Sequence, residues 1–245
     1  MPTLDALQWA VILLSLFLVG FSKTGVSGAG TVAVALFALV LPAKQSTGIL
    51  LPLLLVGDVV AVVAYRRHAD WPKLVRLFPW VAAGVAAGAV VVRWVDDTQM
   101  RRLIGGILLA ILAVHLWNRR RGPEDSLAHR RPVAALTGFF AGAATMTANA
   151  AGPVMALYLL AAGLPMLGFL GTSAWFFLII NAFKVPFSVA LDLVTPATLG
   201  FAALTFPAVL AGAAAGRVVI GRIDRKLFER ITVALTLLAA VRLLL

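Results

Sequence analysis

The sequence predicts an all-α polytopic membrane protein made of two homologous repeats, inverted relative to each other, with broken or re-entrant helices. Three observations predict it. Hydrophobic residues fill 62% of the 245 positions and charged residues 13%, against roughly 45–50% and 25% in soluble domains, so the apolar surplus has to face lipid. Apolar runs recur along the chain, many near the roughly 20 residues that cross a hydrocarbon core. The order of features also repeats. A polar, glycine-containing break (22–30 and 145–153) is followed by a Pro-marked turn (Pro42, Pro165) and an apolar helix with one polar group at mid-depth (Asp58, Asn181). Phe78-Pro79, Gly84-x-x-x-Gly88 and Val95-Asp96 then return as Phe206-Pro207, Gly212-x-x-x-Gly216 and Ile223-Asp224, at a constant offset of 128.

The first repeat, 1–117, holds apolar segments near 6–21, 31–41, 46–65, 73–93 and 101–117. The run from Ala6 could pass for a signal peptide, but it has Asp5 and no Lys or Arg before Lys23, so it reads as a retained first helix. Residues 118–132 form a polar linker with five arginines. The second repeat, 133–245, holds segments near 133–144, 153–164, 168–190, 197–217 and 226–245. Segments 31–41, 133–144 and 153–164 are short for full spans and read as half-helices meeting at the breaks.

The net charge of +11 lies mostly in arginines flanking apolar spans, which fits positive-inside anchoring in a lipid bilayer rather than nucleic-acid binding. The linker is therefore expected on the cytoplasmic side, with the Arg66–Arg76 loop and the loop carrying Arg217, Arg222, Arg225, Lys226 and Arg230. The loop around Asp192 has no basic residue and is expected outside. Five segments per repeat then invert the second half and leave both termini outside. Trp71, Trp80, Trp94 and Trp117 sit near helix ends, as in an interfacial aromatic belt.

The chain lacks cysteine, and its three histidines (His68, His115, His129) have no metal-binding spacing, so no metal or other cofactor is expected. An intramembrane enzyme would need a nucleophile–base pair or a metal set, and the sequence offers neither. There is no phosphate-binding loop. Energy must come from an ion gradient, the solute's own gradient or a separate ATPase.

Irregular backbone at membrane depth is tolerated where it is buried in protein or lines an aqueous cavity. Each break opens into a helix whose free N–H groups and positive dipole end favour an anion. Lys23, Ser27, Gly28 and Gly30 in the first break, and Asn149 and Gly152 in the second, are thus candidate binding residues, with Ser27 and Asn149 as N-caps. Asp58 is costly at its depth and needs a partner or water; it reads as a coupling group or counter-ion. Asn181 and Lys184 share a helix face. An inverted repeat would bring them to Asp58, with an Asp58–Lys184 pair or a shared cavity, and with Lys23 and Lys184 offering positive charge to a small anion. Thr172 is a further candidate; Tyr65, Tyr158, Ser173 and Ser188 are weaker ones. The Gly-x-x-x-Gly pairs pack either within one protomer or between two, which leaves a homodimer open.

These residues resemble the sulfite exporter TauE/SafE family of membrane transporters. The likeness covers Gly25-x-x-Gly28-x-Gly30, Pro42 with Ser46-Thr47-Gly48, Tyr65-Arg66-Arg67 with Trp71, and the Gly84-x-x-x-Gly88 helix, then the second half again. It implies a multi-pass protein of the bacterial plasma membrane that exports small anions, including sulfite or organosulfonates. The glycine runs are thinned at Ser27-Gly28-Ala29-Gly30 and Asn149-Ala150-Ala151-Gly152, which alters the expected lining more than the fold. A proton-coupled importer of an organic acid would use the same residues. A non-transport membrane scaffold is the rival of a different class, though it gains nothing from broken helices at mid-depth.

Overall fold

A computed structural model describes residues 4–25, 29–121 and 131–219, with a few positions between 234 and 244. Its elements are α1 (Ala6–Thr24), α2 (Ala29–Val40), α3 (Ala43–Tyr65), a short 3-10 turn (Arg66–His68), α4 (Trp71–Trp94), α5 (Asp97–Arg121), α6 (Arg131–Ala148), α7 (Ala151–Ala161), α8 (Met166–Ala190) and α9 (Pro196–Val219). There is no strand among the described residues. The protein is all-helical, and α1, α3 with its 3-10 turn, α4, α8 and α9 are long and apolar enough to cross a membrane. Ser27, Gly28, most of the linker and most of the expected segment 226–245 lie outside the described residues.

Helix starts are set by side chains that accept otherwise unpaired N–H groups. Asp5 and Gln8 form a reciprocal capping box at α1, with Gln8 N–H donating to Asp5 Oδ1 at 2.7 Å. Asp96 and Gln99 repeat that arrangement before α5. Asp97 then accepts the Lys44 N–H at 3.0 Å, tying the starts of α3 and α5 together.

At roughly 1.5 Å per residue, α2 and α7 span only about 18 and 16 Å, half a membrane. The expected half-helix at 133–144 is instead the middle of an 18-residue helix, α6, which runs on through Thr145 to Ala148. Thr147 Oγ1 donates back to Ala143 O at 2.8 Å; the hydroxyl is satisfied inside the helix and does not break it. The second break thus narrows to Asn149 and Ala150.

Glycines let helices touch backbone to backbone. A methyl group on Gly20 would lie 1.9 Å from Val209 O, and one on Gly212 would lie 1.9 Å from Phe17 O. Trp9 stacks on Phe201 near one end and Gly25 approaches Gly216 near the other, which runs α1 parallel to α9. Gly142 meets Val81 O and Gly84 meets Phe139 O in the same manner, while Gly138 meets Leu77 O and Gly88 meets Met146, which runs α4 parallel to α6. Both Gly-x-x-x-Gly pairs therefore pack inside one protomer. α3 and α8 cross in the middle, antiparallel: Gly48 abuts Leu193 at one end, and Gly171 abuts Tyr65, His68 and Ala69 at the other.

The interior is apolar, with Phe37, Phe176, Leu50, Leu53, Leu74 and Leu77 fully enclosed. Leu7, Val63, Val75, Trp94, Leu204 and Val218 point outward. Large apolar side chains on the outside of a helical bundle are what lipid contact requires. The protein is a multi-pass membrane protein.

Candidate functional site

Four polar side chains meet in the interior, delivered by α1, α3 and α8. Lys23 comes from the last turn of α1, where a cation also meets the negative end of the helix dipole. Its stem crosses α3 at Gly57, whose missing side chain leaves the room: a methyl there would lie 3.1 Å from Lys23 Cγ. The Lys23 ammonium pairs with Asp58 Oδ1 at 2.7 Å and lies 4.2 Å from the centre of the Phe177 ring, a favourable cation–π position. Asp58 is wholly enclosed, and its Oδ2 accepts from Asn181 Nδ2 at 2.6 Å.

Lys184 follows Asn181 by three residues and shares its face of α8. Its ammonium donates to Thr145 O at 2.7 Å and to Asn149 Oδ1 at 2.6 Å. Thr145 Oγ1 at 3.3 Å and Asn181 Oδ1 at 3.5 Å are further acceptors. All of these oxygens are neutral. Among the described residues, no carboxylate lies within ion-pair distance of Lys184.

The expected Asp58–Lys184 pair is therefore corrected. Asp58 pairs with Lys23, and Asn181 stands between the carboxylate and Lys184. The shared face of Asn181 and Lys184 was readable from their spacing. What it could not show is that the end of α1 reaches the depth of Asp58.

Asn149 is also corrected as an N-cap. It has φ 50°, a left-handed conformation that Asn tolerates better than most residues, and it closes the end of α6, its N–H bonding Thr145 O at 3.0 Å. Its side chain bridges two elements instead, accepting from Lys184 and donating to Thr47 O at 3.1 Å. Gly152, in the first turn of α7, faces open space, while a methyl on Gly30 would come 3.0 Å from Ser22 Oγ. Tyr65 OH donates to Thr24 O at 2.9 Å, so a side chain from α3 holds the end of α1 as Lys184 from α8 holds the end of α6.

Thr172 is not part of this cluster. It lies roughly 18 Å along α8 from Lys184, and its Oγ1 accepts the Asp70 N–H at 2.9 Å. There it fastens the turn between α3 and α4, where Trp71 packs on Trp175 with ring centres 5.1 Å apart. Asp70 caps α4 and pairs with Lys73. Partial burial raises its pKa, but the hydrogen bonds and charge of Lys73 outweigh this and hold the carboxyl below its ordinary value of 3.8. A depressed carboxyl stabilises the fold above its unfolded pKa and stops doing so as pH falls through the folded value. Thr172→Val keeps the shape and removes the acceptor. It should cost about 1 kcal/mol, read as a lower melting temperature in detergent; an unchanged melt would show the bond to be idle.

Thr145, Thr47, Gly57 and Phe177 were not singled out from the sequence. Thr145 and Thr47 stood within quoted motifs, and their proximity to a break was the usable signal. Phe177 is one apolar residue among many in α8, and nothing local marks it.

The family model for Sulfite exporter TauE/SafE matches residues 12–243. The chain belongs to that family. No curated relative and no solved structure matches it. TauE/SafE is a transporter family, and in this TauE/SafE chain the buried cluster lies where the two broken regions approach α3 and α8. Such a cluster of two ammonium groups, one carboxylate and two amides has the charge and hydrogen-bonding groups to bind a small ion.

Proposed function

We propose that this protein is a secondary transporter that exports small anions, sulfite or organosulfonates, across the bacterial plasma membrane. One observation carries the reading: Lys184 is enclosed at membrane depth with neutral acceptors alone. A buried ammonium without a counter-charge is costly, and an anion entering beside it removes that cost. Lys23, Asn149, Asn181 and Lys184 bind the solute, with Gly30, Gly152, Ser27 and Gly28 of the breaks giving backbone access. Asp58 is the group through which a proton gradient couples.

The binding site lies between inverted repeats, 1–117 and 133–245, joined by the cytoplasmic linker. The glycine contacts support this. Gly20 on Val209 and Gly142 on Val81, Gly212 on Phe17 and Gly84 on Phe139, are one pair of contacts made twice. The partners differ by 122 positions on α1 and α6 and by 128 on α4 and α9. The equivalent helices α3 and α8 run antiparallel, as an axis in the membrane plane demands.

Flux in proteoliposomes tests the reading, comparing sulfite, sulfate, a sulfonate and a carboxylate, with and without a proton gradient. Sulfite and the sulfonate should move faster than the carboxylate. Preferred movement of the carboxylate down a proton gradient would make the protein an organic-acid importer. No anion flux from folded protein would end the transport reading.

A further inference from the structure

We infer that Asp58 sets the charge number of the solute: by neutralising Lys23 it leaves the closed site one net positive charge, which selects a singly charged anion. This rests on the transport reading above and goes beyond it to the valence of the cargo. Among the described residues, the charges that face the site are few. α1 contributes Lys23, α3 Asp58 and α8 Lys184, while α6 contributes the neutral Thr145 and the α6–α7 break the neutral Asn149. Tyr65 reaches the end of α1, and Arg217, in the last turn of α9, acts on Tyr65.

The two lysines are not equivalent. Lys23 holds a carboxylate at 2.7 Å and has an aromatic face beside it. Its charge is answered within the protein. Lys184 is answered by oxygens without charge. Asn181 joins them, giving its N–H to Asp58 and its carbonyl to Lys184, so the carboxylate is held on the Lys23 side. A monoanion entering beside Lys184 makes the closed site neutral. A dianion leaves it at minus one, and an unbalanced charge at that depth is costly. A dianion becomes acceptable when Asp58 also takes up a proton, which restores the balance.

Two probes with fixed charge separate the cases: methanesulfonate, a monoanion, and sulfate, a dianion, as competing tracers in proteoliposomes at pH 7.5. The wild-type protein should favour methanesulfonate. Asp58→Asn raises the site to two net charges and should shift the ratio toward sulfate by about tenfold or more, a difference of about 1.4 kcal/mol. The double variant Lys23→Met with Asp58→Asn removes a solute contact and so lowers flux for both probes, but it returns the count to one and should return the ratio to methanesulfonate. It carries no unpaired buried charge from the Lys23–Asp58 pair, so it also tests the count if Asp58→Asn fails to fold. A ratio unmoved by Asp58→Asn, or a double variant that still prefers sulfate, overturns the inference while leaving transport intact. Absence of flux for both anions from folded wild-type protein overturns the transport reading and this inference with it.

Discussion

Lys184→Met should abolish anion flux while the protein still inserts and folds. Methionine has similar length and no charge, so α8 keeps its packing. Thr145 O retains the Asn149 N–H at 3.0 Å, and the acceptor left without its close donor is Asn149 Oδ1. Lys184 has no carboxylate partner among the described residues, and an unpaired buried charge is costly, so its removal breaks no ion pair and the melting temperature should hold. The solute loses its one unanswered cation. Losing one member of a buried charge pair costs roughly 2–5 kcal/mol, about thirtyfold or more in affinity. Uptake of labelled sulfite by proteoliposomes reads the effect. Normal flux from the variant would remove Lys184 from the site.

The parts of this site that were legible in the sequence are those whose cost is local. Asp58 and Lys184 stand out because a charge at membrane depth is expensive wherever the chain goes. Asn181 follows from the repeat, where it holds the place of Asp58, and its spacing puts Lys184 on the same face. The breaks were marked by clustered small polar residues, but their width was not. Threonine hydroxyls that could have ended α6 bond back into it, as Thr147 does. Asn149 shows another limit, because asparagine both caps helix starts and tolerates the left-handed turn after helix ends. Only the backbone decides between the two. Pairing was the least legible feature. Whether Asp58 meets Lys23 or Lys184 depends on where α1 ends relative to α3, which is a matter of packing. The separation of Thr172 from the cluster was hidden for the same reason: its hydroxyl lies near the start of α8, beside the loop, whereas the cluster lies near the other end.

That packing rests on a few contacts in which a hydrogen atom stands where a side chain would be. Gly212→Ala should destabilise the protein and displace the site together. The added methyl would sit 1.9 Å from Phe17 O and 2.7 Å from Phe17 C. Both atoms belong to helix backbone and cannot swing aside, so α1 and α9 must part by about an ångström or more. Overpacking of this kind costs roughly 1–3 kcal/mol. The same movement carries Lys23, less than two turns beyond Phe17, away from Asp58 and Phe177, and an ångström of misplacement is enough to spoil a binding geometry. Flux should therefore fall even at temperatures where the variant stays folded. Gly200→Ala in the same helix is the comparison: nothing lies within 4 Å of its added methyl. Alanine is the better helix former by about 1 kcal/mol, so that variant should melt no lower than the wild type and transport normally. Thermal melts in detergent for both variants decide the matter. If Gly212→Ala melts with Gly200→Ala, the close contact between α1 and α9 is not what holds Lys23 against Asp58.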